Sequence, residues 1–102
     1  MVEQHDFSDS YSHPYFRAIE KGLPIDGVKR EVLLQVNNNP KVYALHFAID
    51  KEREDLVEQF LGELSGEDIE GMRDEEGTGV LEYAELIENE TILGLVRAKL
   101  GK

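Results

Sequence analysis

The chain has no cysteine. That excludes a disulfide framework, a thiolate nucleophile and any zinc site built on thiolates. Basic side chains are scarce: 11 Lys and Arg stand against 22 Asp and Glu, a net charge of −11 over 102 residues with histidine neutral. A surface of that sign repels phosphate backbones and anionic lipid, which argues against direct nucleic-acid binding and against membrane association. Long apolar runs are missing as well. No window approaches the ~18 consecutive apolar residues of a membrane span. Residues 1–12 carry Glu3, Asp6 and Asp9 and lack the apolar stretch of a signal or transit peptide. A soluble, cytoplasmic protein is the expectation. Hydrophobic residues make up 40%, enough for one thin core layer and one small domain.

The acids are unevenly placed. Residues 1–49 hold six acids and five bases, whereas residues 50–90 hold 16 acids and three bases, a local balance of −13. Arg97, Lys99 and Lys102 then restore some positive charge. Either this surface keeps the protein soluble, or it is a negative face that steers a cationic partner.

Punctuation divides the chain into helices. Ser12-His13-Pro14 reads as a cap and first turn, and Tyr15 to Lys21 as a helix stopped at Gly22. Asp26 or a neighbour caps a second helix through Val36, with Val28, Val32, Leu33 and Val36 on one stripe. Asn37-Asn38-Asn39 ends it, and Pro40 opens a third helix to about Lys51. A fourth runs from about Arg53 to Leu64. Ser65 to Gly79, rich in glycine and acids, reads as a loop with a turn around Glu75-Glu76-Gly77. Val80 to Glu88 and Thr91 to Leu100 are the last two helices. Helices this short hold only by packing on one another, so the predicted class is all-α.

An internal repeat is the strongest signal. An offset of 36 aligns Leu45 with Leu81, Phe47 with Tyr83, Ala48 with Ala84, Leu56 with Ile92, Val57 with Leu93, Phe60 with Val96 and Leu64 with Leu100. A helix pair that cannot close a core alone, repeated at a fixed period, follows the logic of stacked repeats. The aligned positions Leu45, Ala48, Leu56, Phe60, Leu81, Ala84, Ile92 and Val96 are the expected core.

At these residues the chain resembles the ankyrin repeat family. Asp74 to Ala84 is similar to the hairpin and first helix of that repeat, D-x-x-G-x-T-P-L-H-x-A, and Ala44-Leu45-His46-Phe47-Ala48 is closer still at L-H-x-A. Gly66 to Glu70 is similar to G-A-D-V-N, and Glu54-Asp55-Leu56-Val57 and Glu90-Thr91-Ile92-Leu93 to x-E-I-V. In a more degenerate copy, Ala18-Ile19-Glu20-Lys21-Gly22 stands where A-A-x-x-G stands. The departures are Tyr43-Ala44 and Gly79-Val80 in place of Thr-Pro, Glu82 in place of the motif histidine, Glu85 in place of a buried alanine, and a 65–74 loop longer than a 33-residue period allows. The resemblance implies stacked antiparallel helix pairs, a short ankyrin-like solenoid. It would comprise a tail at 1–12 and one domain at 13–102, divided at 13–37, 38–73 and 74–102.

Catalytic and metal chemistry finds little footing. His5, His13 and His46 lack metal-ligand spacing. His46, on the L-H-x-A face, reads as a hydrogen-bonded structural histidine. The acidic loop 68–77 fails the EF-hand template. Counting back from Gly77 as the central glycine places Met72 first and Tyr83 last, and counting from Gly71 places Gly66 first and Gly77 last. The glycines form no phosphate cradle, and no pair of acids stands out from the rest. The expectation is a protein that is not an enzyme, with no catalytic residues, no metal and no cofactor.

Two functions remain open. The resemblance implies a protein-binding module that receives its target at the hairpin tips, Glu75, Glu76 and Thr78, and late in the first helices, at Asp50, Lys51, Leu86 and Ile87. Phe47 and Tyr83 lie beside them, either as contacts or as packing between repeats. Leu86-Ile87 is either a contact patch or a cover for the end of the stack. Alternatively, the acidic half is a stoichiometric inhibitor, such as an immunity protein, antitoxin or antidefence factor, blocking a cationic nucleic-acid-binding surface. Glu82, Glu85 and Glu88 at i, i+3, i+6, with Glu54 and Glu58 at i, i+4, would then imitate phosphates. Glu82 completes the candidate set.

Overall fold

In the computed structural model, which describes residues 13–38 and 41–102, helices dominate and a small hairpin interrupts them. The order is α1 (Phe16–Lys21), α2 (Arg30–Leu33), β1 (Val36–Asn38), β2 (Lys41–Tyr43), α3 (Ala44–Asp50), α4 (Glu54–Glu63), α5 (Gly66–Glu70), α6 (Val80–Ile87) and α7 (Glu90–Leu100). The expected tail, Ser12, and Asn39 and Pro40, read as ending the second helix and opening the third, lie outside the described residues.

The helices α4, α6 and α7 form where the apolar spacing places them, and side chains cap the starts of the last two. Asn89 caps α7 by accepting from the Ile92 N–H at 3.0 Å, while its amide donates to Glu52 and Glu54 at the start of α4. Ahead of α1, His13 ties the chain down: its Nδ1 accepts from the Tyr15 N–H at 3.1 Å, and its Nε2 donates to the Val32 carbonyl at 2.9 Å.

Three expectations are corrected. The helix predicted through Val36 is only the single turn of α2. Val36 to Asn38 instead pair antiparallel with Lys41 to Tyr43, Val36 opposite Tyr43 and Asn38 opposite Lys41, so the domain is mostly helical and not all-α. The third helix starts at Ala44, four residues later than read from Pro40. The 65–79 segment is not all loop, because Ser65 and Asp68 form a capping box that starts α5. Asp68 also receives a bidentate pair from Arg30 at 2.7 and 2.8 Å, and burial of Ile69 and Met72 ties the segment down. The turn anticipated at 75–77 is present: the Gly77 N–H closes onto the Asp74 carbonyl at 3.0 Å, with Gly77 at φ +82°.

The helices pack in two layers. α3 lies against α1 and α6, α4 lies against α2 and α7, and the pairs α3–α4 and α6–α7 close across the layers. Leu45, Ala48, Leu56, Phe60, Ala84, Ile92 and Val96 are buried as expected, whereas Leu81 is only half-buried. The same partial exposure recurs at Leu93 and Leu100, because the α6–α7 pair has a packed neighbour on one side.

The backbone carries a further recurrence. The residues that end α1 and α6, Gly22 and Glu88, adopt left-handed conformations with φ +74° and +63°, and Glu52, just past α3, has φ +55°. All three stand four residues after an alanine: Ala18, Ala84 and Ala48. After α1 and α3 the reversal is closed alike, Leu23 N–H to Ala18 O and Arg53 N–H to Ala48 O, each at 2.9 Å. Among the described residues no helix is long and apolar enough to cross a membrane.

Candidate functional site

β2 feeds directly into α3, so Lys41 and Val42 stand beside the exposed flank of α3, and α6 packs along the same side. The 74–78 turn completes the enclosure. Its shape comes from Asp74, whose Oδ1 accepts from the N–H groups of Glu76 at 2.9 Å and Thr78 at 2.8 Å. Glu75 reaches toward β2, where its Oε1 accepts from the Lys41 N–H at 3.4 Å. The result is a cleft of about 290 Å³. Val42, Phe47 and Tyr83 form its apolar wall, with His46 alongside. Asp50, Asp74, Glu75, Glu76 and Lys41 contribute the charge, four acids against one base.

Two long-range bonds hold the walls together. The Tyr83 hydroxyl donates to Asp50 Oδ1 at 2.8 Å, and His46 Nε2 donates to the Thr78 carbonyl at 3.1 Å. Burial, then Asp50, then Asp74 and Glu76 hold the Tyr83 phenol above its ordinary range, so the hydroxyl keeps its proton. Burial pushes His46 below its ordinary value, against the opposing effects of the Thr78 bond and Asp74. The ring is therefore neutral at pH 7. With its proton on Nε2, Nδ1 is a bare acceptor, and it is buried with no partner among the described residues.

The candidate residues separate on this frame. Asp50, Glu75 and Glu76 line the cleft together. Lys51 lies next to it, its ammonium 5.5 Å from the centroid of the Phe47 ring. Thr78 is half-buried, and its backbone serves the turn and His46. Glu82 faces elsewhere: its Oε1 accepts from the Gly79 N–H at 3.0 Å, at the start of α6, and it borders a second hollow of about 260 Å³ with Arg73 and Lys102. Leu86 is 71% exposed, while Ile87 packs partly on the core. Phe47 has a packing role, stacked on Phe16 at 4.4 Å, and also lines the cleft. Of the acidic row, Glu85 pairs with Arg97 at 3.5 Å and Glu54 accepts from Asn89.

The sequence reading missed Lys41, Val42 and Asp74 as lining. Asp74 had a legible signal, the D-x-x-x-T spacing of an Asx turn. Lys41 and Val42 did not, because they were assigned to a helix. Among the described residues no group of three or more His, Asp and Glu side chains is arranged to hold a metal ion.

Comparison with known proteins returns no match, whether with protein-family models, curated proteins or solved structures.

Proposed function

We propose that the chain is a non-catalytic protein-binding module of ankyrin type that presents an acidic face to a protein partner. The observation that carries the binding role is the joining of the α3 flank and the 74–78 turn into one acid-lined concavity beside the half-buried rings of Phe47 and Tyr83. The ankyrin-type scaffold is supported by the left-handed residues at Gly22, Glu52 and Glu88, which fall where the family's A-A-x-x-G ends its first helix, and by the pairwise packing of α3–α4 on α6–α7. A cytoplasmic setting belongs to the same reading.

The alternative, an acidic inhibitor that occupies a cationic nucleic-acid-binding surface, draws on the −13 balance of residues 50–90. It differs in one consequence: the partner must lose nucleic-acid binding when the complex forms.

The test uses a partner captured from the host and a variant with Glu75, Glu76, Glu82 and Glu88 changed together to Gln. Glutamine keeps the acceptors that Gly79 and Lys41 use, so the fold is retained. Association should slow and its salt dependence should flatten, since exposed charges steer over a Debye length of ~8 Å at physiological ionic strength. Equal rates and equal salt slopes would remove the acidic face from the function. Adding nucleic acid to the complex separates the two readings: competition favours the inhibitor and indifference the general binding module.

A further inference from the structure

We propose that the outer face of the α6–α7 pair is a self-association surface, on which a second copy of this chain docks about a two-fold axis. The proposal goes beyond the binding reading above, and none of the residues that carry it lines the acid cleft.

The first argument compares equivalent positions. The pair α3–α4 is packed on both sides, by α1 and α2 on one and by α6 and α7 on the other. The offset of 36 takes Leu45, Ile49, Val57, Leu61 and Leu64 to Leu81, Glu85, Leu93, Arg97 and Leu100. The first five are all buried. Of the second five, the three leucines are half-buried, and Glu85 and Arg97 are exposed. Leu81 and Glu85 are one turn apart on α6, and Leu93, Arg97 and Leu100 follow at i, i+4, i+7 on α7. Glu85 touches Arg97, so the two stripes lie side by side. Positions that a neighbour seals in the middle of the stack thus lie open at its end.

The second argument is charge complementarity. The face holds one carboxylate and one guanidinium among three leucines, so it is neutral on a chain whose net charge is −11. A partner of one strong sign finds no net charge there to match. A second copy satisfies both groups, because a two-fold axis between the stripes sets Glu85 of each copy opposite Arg97 of the other. Within one chain the two side chains meet at a single point, 3.5 Å apart, and both stay about half exposed. A surface pair of that kind contributes little and is readily exchanged. Screened from water by the leucines of two copies, the exchanged pairs are stronger, and the planar guanidinium suits them.

Three half-buried leucines and one ion pair a side make a small interface, below the size of permanent dimers. The dissociation constant is therefore expected on the order of 100 μM. The dimer carries two acid clefts, one on each copy, and so offers a partner with two cationic sites a bivalent grip.

The experiment is sedimentation velocity on the full chain with no partner present, from about tenfold below to about tenfold above that value. Wild type should pass from monomer to dimer and stop there, because a two-fold contact closes on itself. Glu85→Arg and Arg97→Glu should each weaken the dimer by about tenfold or more, since each sets like charges face to face. An equal mixture of the two variants should dimerise as wild type does, because a face with two bases then meets a face with two acids. The double variant Glu85→Arg, Arg97→Glu should do the same. Both positions are exposed and their pair within one chain is weak, so melts and amide spectra should remain those of the folded chain. A wild type that stays monomeric throughout, single variants that dimerise like wild type, a mixture that stays monomeric, or growth past the dimer each overturns the proposal. With no partner in the cell, none of these outcomes bears on the acidic face, which has its own test above.

Discussion

Tyr83 on α6 donates its hydroxyl hydrogen to Asp50 at the end of α3, 2.8 Å away and 33 positions back along the chain. The bond crosses the boundary between the two helix pairs, so it reports directly on how α6 is docked. Tyr83→Phe keeps the ring and deletes the bond, and should cost about 0.5–1.5 kcal/mol in a denaturant melt. Burial, and then Asp50, raise the phenol above its ordinary 10.0, so the folded chain keeps this proton while the unfolded chain releases it. Stability from this group is complete below pH 10 and is lost as pH rises above it. Wild type should therefore lose more stability than Tyr83→Phe between pH 9 and about pH 11; equal losses would mean that the bond is not made in solution.

Arg53 holds α1 to the rest of the domain. Its guanidinium donates to the carbonyls of Ala18 and Ile19 at 3.1 Å and of Leu23 at 3.0 Å, while Asp55 fixes it from the other side. These carbonyls lie at and just beyond the C-terminal end of a six-residue helix, and of the three Ala18 also accepts from the Leu23 N–H. Arg53→Met should cost on the order of 2–4 kcal/mol, and Arg53→Lys should recover only part, since one ammonium cannot span three acceptors. Hydrogen exchange is the sharper measure: protection should fall across residues 16–23 and hold in α7.

How much of this was legible depended on whether one local signal decided each element. For α4 the apolar spacing, and for α6 and α7 the spacing and the caps together, point one way, and their bounds follow to within a residue or two. At 36–43 two signals competed. Val28, Val32, Leu33 and Val36 fit a helical stripe, yet the Asn-Asn-Asn-Pro run between Val36 and Val42 is equally a hairpin turn, and pairing with Lys41–Tyr43 decided for strand. At α5 the S-x-x-D box was present in the sequence, but five residues form a helix only with outside help, here from Arg30 and buried Ile69. The acids of the site were legible as acids. Their convergence was not, because it depends on the hairpin that brings Lys41 and Val42 beside α3.

Two buried histidines set the acid side of the stability profile. Burial lowers both His13 and His46 below their ordinary 6.5, outweighing the carbonyl bonds that each makes. As pH falls below 6.5 the unfolded chain takes up protons that the folded chain refuses. Stability then drops until the folded values are passed, by at most about 1.4 kcal/mol per pH unit for each ring. Carboxylates as a class titrate near pH 4, so the slope between pH 6.5 and about 5 belongs to the histidines. Below 3.8, Asp68 and Asp55, both lowered mainly by their arginine partners, add a second loss of the same sign. A His13→Gln, His46→Gln double variant keeps amide donors for Val32 and Thr78 without a titrating ring. Its stability should be flat from pH 7 to about 5 where wild type declines, and parallel curves would refute the assignment.

Glu88 offers the opposite kind of test, a substitution that should stabilise. It ends α6 at φ +63°, a conformation that costs a residue with a Cβ about 1–2 kcal/mol and costs glycine almost nothing. The equivalent position after α1 is already Gly22, with φ +74°. Glu88 is exposed, forms no ion pair with a described residue, and adds a negative charge at a helix C-terminus, where the dipole disfavours it. Glu88→Gly relieves the backbone and removes the charge, against a larger entropy loss on folding, for a net gain of about 0.5–1.5 kcal/mol. Glu88→Ala removes the same charge and keeps the strained backbone, so it isolates the electrostatic share. Glycine should exceed alanine by about 1 kcal/mol in paired denaturant melts. Glu52, at φ +55°, is the built-in contrast: its carboxylate accepts from Asn89 at 3.0 Å, so Glu52→Gly relieves the backbone while loosening the cap of α7 and should gain less than Glu88→Gly. If alanine equals glycine at 88, the left-handed ending of α6 is not what residue 88 adopts in solution, and the backbone recurrence that links Gly22, Glu52 and Glu88 loses its third member.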